Sequence, residues 1–337
     1  MPLSSSARGL RTSARRSLAC LIVLTALPAV TAAQGWKPER NVEIVVGSAA
    51  SGGNDATARF IQRIVKKHAL VASPVTVVNK PGGGGSIAWA YVAQHSGDGH
   101  YLGIGSPTLL TNHIIGTSTL TYTDLTPLAH LFTDYTALSV KEGGALKSGQ
   151  DVVQQLKRDP GAVAIGLANS LGNNNHIAVA LVAKALGVDV KKLKVVVFQS
   201  TGEAITALMG GHIGMVSSPL SSAVPSMQAR RTRTIALSGP QRLGGVLADV
   251  PTWKELGVNV DSGSFRLLLG PKGMTRPQIA YWDEVLSKLV QSEDWKKSLQ
   301  PLYSTSTYLD AEASARDLKG EYQRLSAILG ELGLAKR

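Results

Sequence analysis

Val42-Glu43-Ile44-Val45-Val46-Gly47-Ser48-Ala49-Ala50-Ser51-Gly52-Gly53-Asn54-Asp55 is the stretch from which the fold is read. Its first five residues are mostly branched and aliphatic, the composition of a buried strand. The small residues from Gly47 to Gly53 then turn the chain. Asn54 or Asp55 caps a helix that runs to about His68. Phe60, Ile61, Ile64 and Val65 give that helix an apolar stripe at helical spacing. Strand, glycine-rich turn and helix in that order form the unit of a parallel sheet covered by helices.

The unit recurs on both sides of residue 149. Before it, Val75–Val78 is a strand, Pro81–Gly85 a turn, Ser86–His95 a helix, and Tyr101–Gly105 a strand. After it, Val163–Ala168, Val195–Val197, Ile213–Val216 and Arg233–Leu237 read as strands, with helices between them near 176–186 and 203–209. Two such series imply an α/β, two-lobed architecture, each lobe a mainly parallel sheet flanked by helices. The tail differs: a strand over Phe265–Leu269, a helix after Thr275 with Pro277 in its first turn, then helices near 293–299 and 311–329. A helical tail returning to the first lobe gives crossings near 137–145 and 255–262. Lobe 1 is then 34–138 with 259–337, and lobe 2 is 139–258.

The N-terminus sets the compartment. Arg8, Arg11, Arg15 and Arg16 precede an apolar run from Leu18 to Val30, which exits through Thr31-Ala32-Ala33. Basic stretch, apolar stretch and small residues make a secretory signal peptide, cut near Ala33, and place the mature chain in the periplasm. The run falls short of the roughly 20 residues that span a bilayer, so a retained anchor is the weaker reading. Arg15-Arg16 raises twin-arginine export, but the residues after the pair fit that route poorly. Cys20, the only cysteine, lies inside the leader. Disulfides, thiolate chemistry and Cys-based metal sites are therefore excluded from the mature chain. Removing the leader leaves 31 basic against 23 acidic residues. Basic clusters at Lys191, Lys192 and Lys194 and at Arg230, Arg231 and Arg233 lack interleaved aromatics and any recognisable module, so no nucleic-acid partner is expected.

The chemistry falls in the loops at the carboxyl ends of the strands, where open parallel sheets bind ligands. Each loop opens a helix, whose free N–H groups and dipole favour an anion. The candidate ligand-binding residues are Ser48, Ser51, Gly52, Gly53, Asn54 and Asp55; Ser106 and Thr108; Ser170, Asn173, Asn174 and His176; and Ser200, Thr201 and Gly202. Gly82–Ser86 and Ser217-Ser218 lie at the same edge. These loops carry almost no Lys or Arg, so an anion there would be held by main-chain amides and hydroxyls. Each loop also reads as an ordinary turn, Asp55 as a helix cap, and His176 as a packed histidine. Gly83-Gly84-Gly85-Ser86-Ile87-Ala88 has the form of a dinucleotide fingerprint. The acid expected at the end of the next strand is absent, because Asp98 sits in the turn before it. No acid–base pair and no metal-ligand spacing emerge, so no catalytic residue, metal or cofactor is expected.

The chain resembles the solute-binding receptors of tripartite tricarboxylate transporters, the Bug-type receptors. The resemblance is carried by Ser51-Gly52-Gly53-Asn54-Asp55-Ala56-Thr57-Ala58-Arg59, Val77-Val78-Asn79-Lys80-Pro81-Gly82-Gly83-Gly84-Gly85 and Asp98-Gly99-His100-Tyr101-Leu102. Gly172–His176, Ser200-Thr201-Gly202-Glu203-Ala204, Val250-Pro251-Thr252 and Gly270-Pro271-Lys272-Gly273 continue it. It implies a type II periplasmic binding fold with its cleft between lobes. It also implies a small carboxylate ligand, such as a di- or tricarboxylate, and delivery to a permease of one large and one small membrane subunit. A monomeric, non-enzymatic receptor is expected. Ala50-Ser51, Phe198 and Phe265 depart from the family pattern near the cleft. A sensor that presents its bound form to a signalling receptor would share this sequence pattern, and an exported nucleotide-dependent enzyme is the remaining alternative.

Overall fold

The computed structural model describes residues 35–50, 53–168 and 170–336; the leader, Ser51, Gly52, Asn169 and Arg337 lie outside the described residues. The first series is β1 (Val42–Val46), α1 (Gly53–Lys67), β2 (Val75–Asn79), α2 (Ser86–Ala93), β3 (Tyr101–Gly105) and α3 (Thr108–Ile114). A long strand, β4 (Leu125–Lys141), leads to the second series. That series is α4 (Gly149–Arg158), β5 (Ile165–Ala168), α5 (Asn174–Ala185), β6 (Val195–Phe198), α6 (Thr201–Met209), β7 (Met215–Pro219), α7 (Leu220–Gln228) and β8 (Thr232–Leu237). The tail is β9 (Gly263–Pro271), α8 (Arg276–Gln291), α9 (Glu293–Leu299), β10 (Thr305–Leu309) and α10 (Ala311–Glu331).

The strands form two sheets that share β4. In the first, β2, β1 and β3 run parallel, with β1 in the centre. β9 then pairs antiparallel with β3 and with β4, from Leu125↔Pro271 to Tyr135↔Gly263, and β10 joins the other edge of β4. In the second, β5 runs parallel with β6 and β7, while β7 and β8 flank β4 antiparallel. The parallel strands expected of the strand–loop–helix series are present, but where the chain passes between sheets the pairing is antiparallel. The first sheet is mixed because the returning β9 runs against β3 and β4, and the second because β4 runs against β7 and β8.

Burial explains the layers. Ile44, Val46, Ile61, Ile64, Leu102, Ile104 and Leu268 fill one face of the first sheet against α1 and α8, with Trp282 and Trp295 closing it. A second cluster joins Trp89, Leu109 and Leu269 on its other face to Ile177, Val182, Met215 and Trp253. Leu325, Ile328 and Leu329 of α10 belong to this second cluster. The tail therefore does more than cover the first lobe: α10 also packs on α3 and α5.

α1 begins at Gly53, so neither Asn54 nor Asp55 stands outside it as a cap. Asp55 occupies the first turn, where a carboxylate complements the free N–H groups. α5 has the expected form of cap: Asn173 is extended and its Oδ1 accepts the His176 N–H at 3.0 Å. Among the described residues no helix is long and apolar enough to cross a membrane.

Candidate ligand-binding cleft

Backbone-to-backbone packing shapes the first wall. A Cβ on Gly47 would lie 2.4 Å from the Gly85 Cα, so the loops after β1 and β2 touch with no room for a side chain. Gly84 and Gly85 have positive φ, and a Cβ on them would meet Asn112 Nδ2 at 2.9 Å and the Trp89 ring at 2.8 Å. Asn112 donates to the Gly83 carbonyl at 2.9 Å and to Ser86 Oγ at 3.1 Å. The glycine run that has the form of a dinucleotide fingerprint is thus a packing surface, and Asn112 fills the space over it.

The loops following β1, β3 and β5 converge on a cavity of about 430 Å3. One wall is Ser48, then Gly53 and Asn54 opening α1, then Ser106 and Thr108 at the start of α3. The opposite wall is Asn173, Asn174 and Asn175 opening α5, with Pro219 and Ser221 beyond β7. The floor is Phe132, Asp134, Tyr135 and Thr136 of β4 with Ser264 and Arg266 of β9. A hollow of about 460 Å3 between α3 and the end of α10 lies away from this convergence.

Several predicted residues therefore share one cavity: Ser48, Gly53, Asn54, Ser106, Thr108, Asn173 and Asn174. Ser48 Oγ is buried and has no partner among the described residues. Ser106 Oγ and Thr108 Oγ1 share a hydrogen bond of 2.9 Å, and Asn174 Nδ2 donates to Thr136 Oγ1 at 3.3 Å, tying a wall to the floor. The Asn173 side chain is occupied by its cap and by donation to the Ala168 carbonyl at 2.6 Å.

The other predicted residues, among those described, do not line it. Asp55 is buried behind α1, accepting from Arg59 Nε and Asn79 Nδ2, each at 2.9 Å. Asn79 also donates to the Ser48 carbonyl at 3.0 Å, so Asp55 braces the loop from behind. His176 is buried, and its Nδ1 accepts the Gly172 N–H at 3.0 Å. Burial holds its pKa below the ordinary histidine value. Ser170 is exposed. Ser200 caps α6 by accepting the Glu203 N–H at 3.2 Å, and Thr201 and Gly202 open that helix at the edge of the second sheet. Ser217 and Ser218 are buried in β7, Ser217 donating to the Asn175 carbonyl. Ser51 and Gly52 lie outside the described residues.

Two charged residues on the floor escape the sequence analysis. Arg266 Nη2 lies 2.9 Å from Asp134 Oδ2, with the side chains 14% and 20% exposed. The cleft is therefore not built of neutral groups alone. Phe265 and Arg266 are neighbours on β9 and face opposite sides. Phe265 is buried on the outer face, with its ring 5.8 Å from that of His130, while Arg266 faces the cavity. The signal was one arginine in a strand whose other residues read as core.

Two mixed sheets joined through one shared strand, with helix N-termini facing each other across a small cavity, define the class of two-lobed periplasmic solute-binding proteins. The sequence model of the tripartite tricarboxylate transporter family receptor matches residues 57–334. The chain belongs to that family of solute-binding receptors. It is 25% identical to a UPF0065 protein of Cupriavidus necator over 93% of both chains. It is 22% identical to BugT of Bordetella pertussis, covering 93% of this chain and 95% of that one. A TctC solute-binding protein from Polaromonas superposes with a TM-score of 0.76 at 25% identity, covering 88% of this chain and 99% of that one. MatC of Rhodopseudomonas palustris, solved with malate bound, shares the fold with a TM-score of 0.69 at 24% identity, covering 87% of this chain and 99% of that one.

Proposed function

We propose that the mature protein captures a small organic acid in the cleft and hands it to a permease of one large and one small membrane subunit. It acts in the periplasm as a monomer, and its leader is removed near Ala33. The observation that carries this reading is the meeting of two helix N-termini, α1 and α5, across one cavity. Unpaired N–H groups at such termini stabilise an anion without a charged side chain. The volume, about 430 Å3, sits at the small end of ligand pockets, as a small acid requires. The malate and adipate held by two structural neighbours are of that class. Strands confined to 42–135 and 263–309 in one sheet, and to 136–237 in the other, support the lobe division at 34–138 with 259–337 against 139–258.

The ligand-binding residues proposed are Ser48, Gly53, Asn54, Ser106, Thr108, Asn173 and Asn174, with Asp134 and Arg266 on the floor. Asp55 and His176 hold the loops in place. The test is thermal unfolding of the mature protein, refolded to strip carried-over ligand, against a panel of acids and neutral analogues. A ligand at about 100 times its Kd adds roughly 2.7 kcal/mol, and each kcal/mol raises Tm by roughly 2–4 °C in a domain somewhat smaller than this chain. Stabilisation by neutral solutes or nucleotides but by no carboxylate would overturn the reading.

A further inference from the structure

The floor of the cleft carries a charge couple that simple diacid capture does not need. Arg266 and Asp134 form an ion pair of 2.9 Å that is mostly buried. Arg266 is fixed further by donating from Nη1 to Ser264 Oγ at 2.8 Å and to the Phe265 carbonyl at 3.0 Å. Asp134 accepts at its other oxygen from Ser304 Oγ. Three segments of chain therefore hold the couple in one geometry. A Cβ on Gly53 would lie 3.8 Å from Arg266 Nη2, so the guanidinium abuts the first turn of α1. The positive end of the floor is next to the positive end of that helix, and the negative end is the Asp134 carboxylate.

This arrangement is dipolar. A ligand carboxylate placed at the α1 terminus meets N–H groups and Arg266. A second carboxylate on the same small ligand, reaching across the floor toward the α5 terminus, would also come near Asp134, a like charge with little water to screen it. A hydroxyl, amide or ammonium group there would instead donate to Asp134, a charge-assisted hydrogen bond. We propose that the Asp134–Arg266 couple is a specificity determinant. It selects acids with one carboxylate and a hydrogen-bond donor in place of the second over diacids of the same length. The assignment rests on the reading of the cleft as a carboxylate site.

The experiment is titration calorimetry of the refolded mature protein with linear diacids from malonate to adipate and with their half-amides, ω-hydroxy acids, ω-amino acids and diamides. The expected result is that the preferred donor-bearing monoacid binds at least about tenfold tighter than its diacid. Asp134→Asn should reduce that ratio at least about tenfold by improving diacid binding. Because Asp134→Asn leaves Arg266 without its counter-charge, the double variant Asp134→Asn/Arg266→Gln is measured beside it, as a neutral pair of similar shape. It too should lose the discrimination. Diacids binding as tightly as their half-amides in the wild type would overturn the assignment alone, as would an unchanged ratio in both variants. Binding of diamides without any carboxylate, or of nothing in the series, would overturn the carboxylate reading and the assignment with it.

Discussion

His176 is 5% exposed, and its Nδ1 accepts the Gly172 N–H, so the ring is neutral with its proton on Nε2. Protonation of Nδ1 would turn that acceptor into a donor facing a donor. The folded-state pKa is accordingly depressed, with burial as its cause. In the unfolded chain histidine titrates near pH 6.5. Above that pH neither state binds the proton and stability is full. Below it the unfolded state takes up a proton that the folded state refuses, so stability falls with pH by at most about 1.4 kcal/mol per unit for this one group. His176→Gln should flatten the loss of Tm between about pH 6.5 and pH 5, above the range where carboxylates titrate. An unchanged slope in the variant would place the acid sensitivity elsewhere. The sequence left His176 balanced between ligand donor and packed ring, since nothing in its neighbours fixes where a side chain on a helix's first turn points. Arg266 was hidden for a related reason: in Phe265–Leu269 successive residues face opposite sides of the sheet, both mostly apolar, and only the partner strand tells that the side Arg266 takes opens on the cavity.

The elements built on a period were the legible ones. β3 and α9 fall on the expected bounds, and α5 and β6 within two residues, because apolar spacing and caps act locally. β4 was not read, although it is the longest strand. Pro127 interrupts its pattern, and the pairing with β9 shifts register between Pro127 and Ala129 and again between His130 and Phe132. Its polar residues Asp134 and Thr136 face the cleft, so the strand lacks the continuous apolar run that marks a buried one. At α5 the cap and the cleft coincide. Asn173→Ala removes both the bond to the His176 N–H and the bond to the Ala168 carbonyl, and should cost about 1–2 kcal/mol of stability. Asn173→Asp keeps an acceptor for the cap but sets its second carboxylate oxygen against the Ala168 carbonyl, where Asn173 donated, so its Tm should fall at least as far as that of the alanine variant. It also sets a negative charge at the terminus where an anion is proposed to sit, and should weaken acid binding more than the alanine does. Equal loss of affinity in the two variants would show that Asn173 matters only through the loop it caps.

At the scale of the whole molecule, the two sheets are joined through β4, which exchanges β9 for β7 between Tyr135 and Thr136. The return passage is Ser262–Gly263, where Ser238 Oγ donates to the Ser262 carbonyl and the Ser262 N–H donates to the Ser238 carbonyl at 2.8 Å. Any change in the angle between lobes must be absorbed at these two places, which adjoin the Asp134–Arg266 floor. The floor of the proposed ligand site and the passage between the sheets therefore share the same few residues of β4 and β9. Gly263 tests the return strand directly. A Cβ there would lie 2.1 Å from Thr133 Cγ2. Thr133 cannot rotate freely to make room, since its Oγ1 shares hydrogen bonds with Thr307 at 2.9 Å and His130 at 3.0 Å. Gly263→Ala should therefore force β9 away from β4 and cost about 1–3 kcal/mol, as overpacking does. Thr133→Ala removes the obstructing methyl, so the double variant should be more stable than the sum of the two single losses predicts, by at least about 0.5 kcal/mol. Denaturant unfolding of all four proteins measures that coupling. A purely additive cycle would mean that the strands part at this point without strain, and that the passage between lobes is looser than its packing implies.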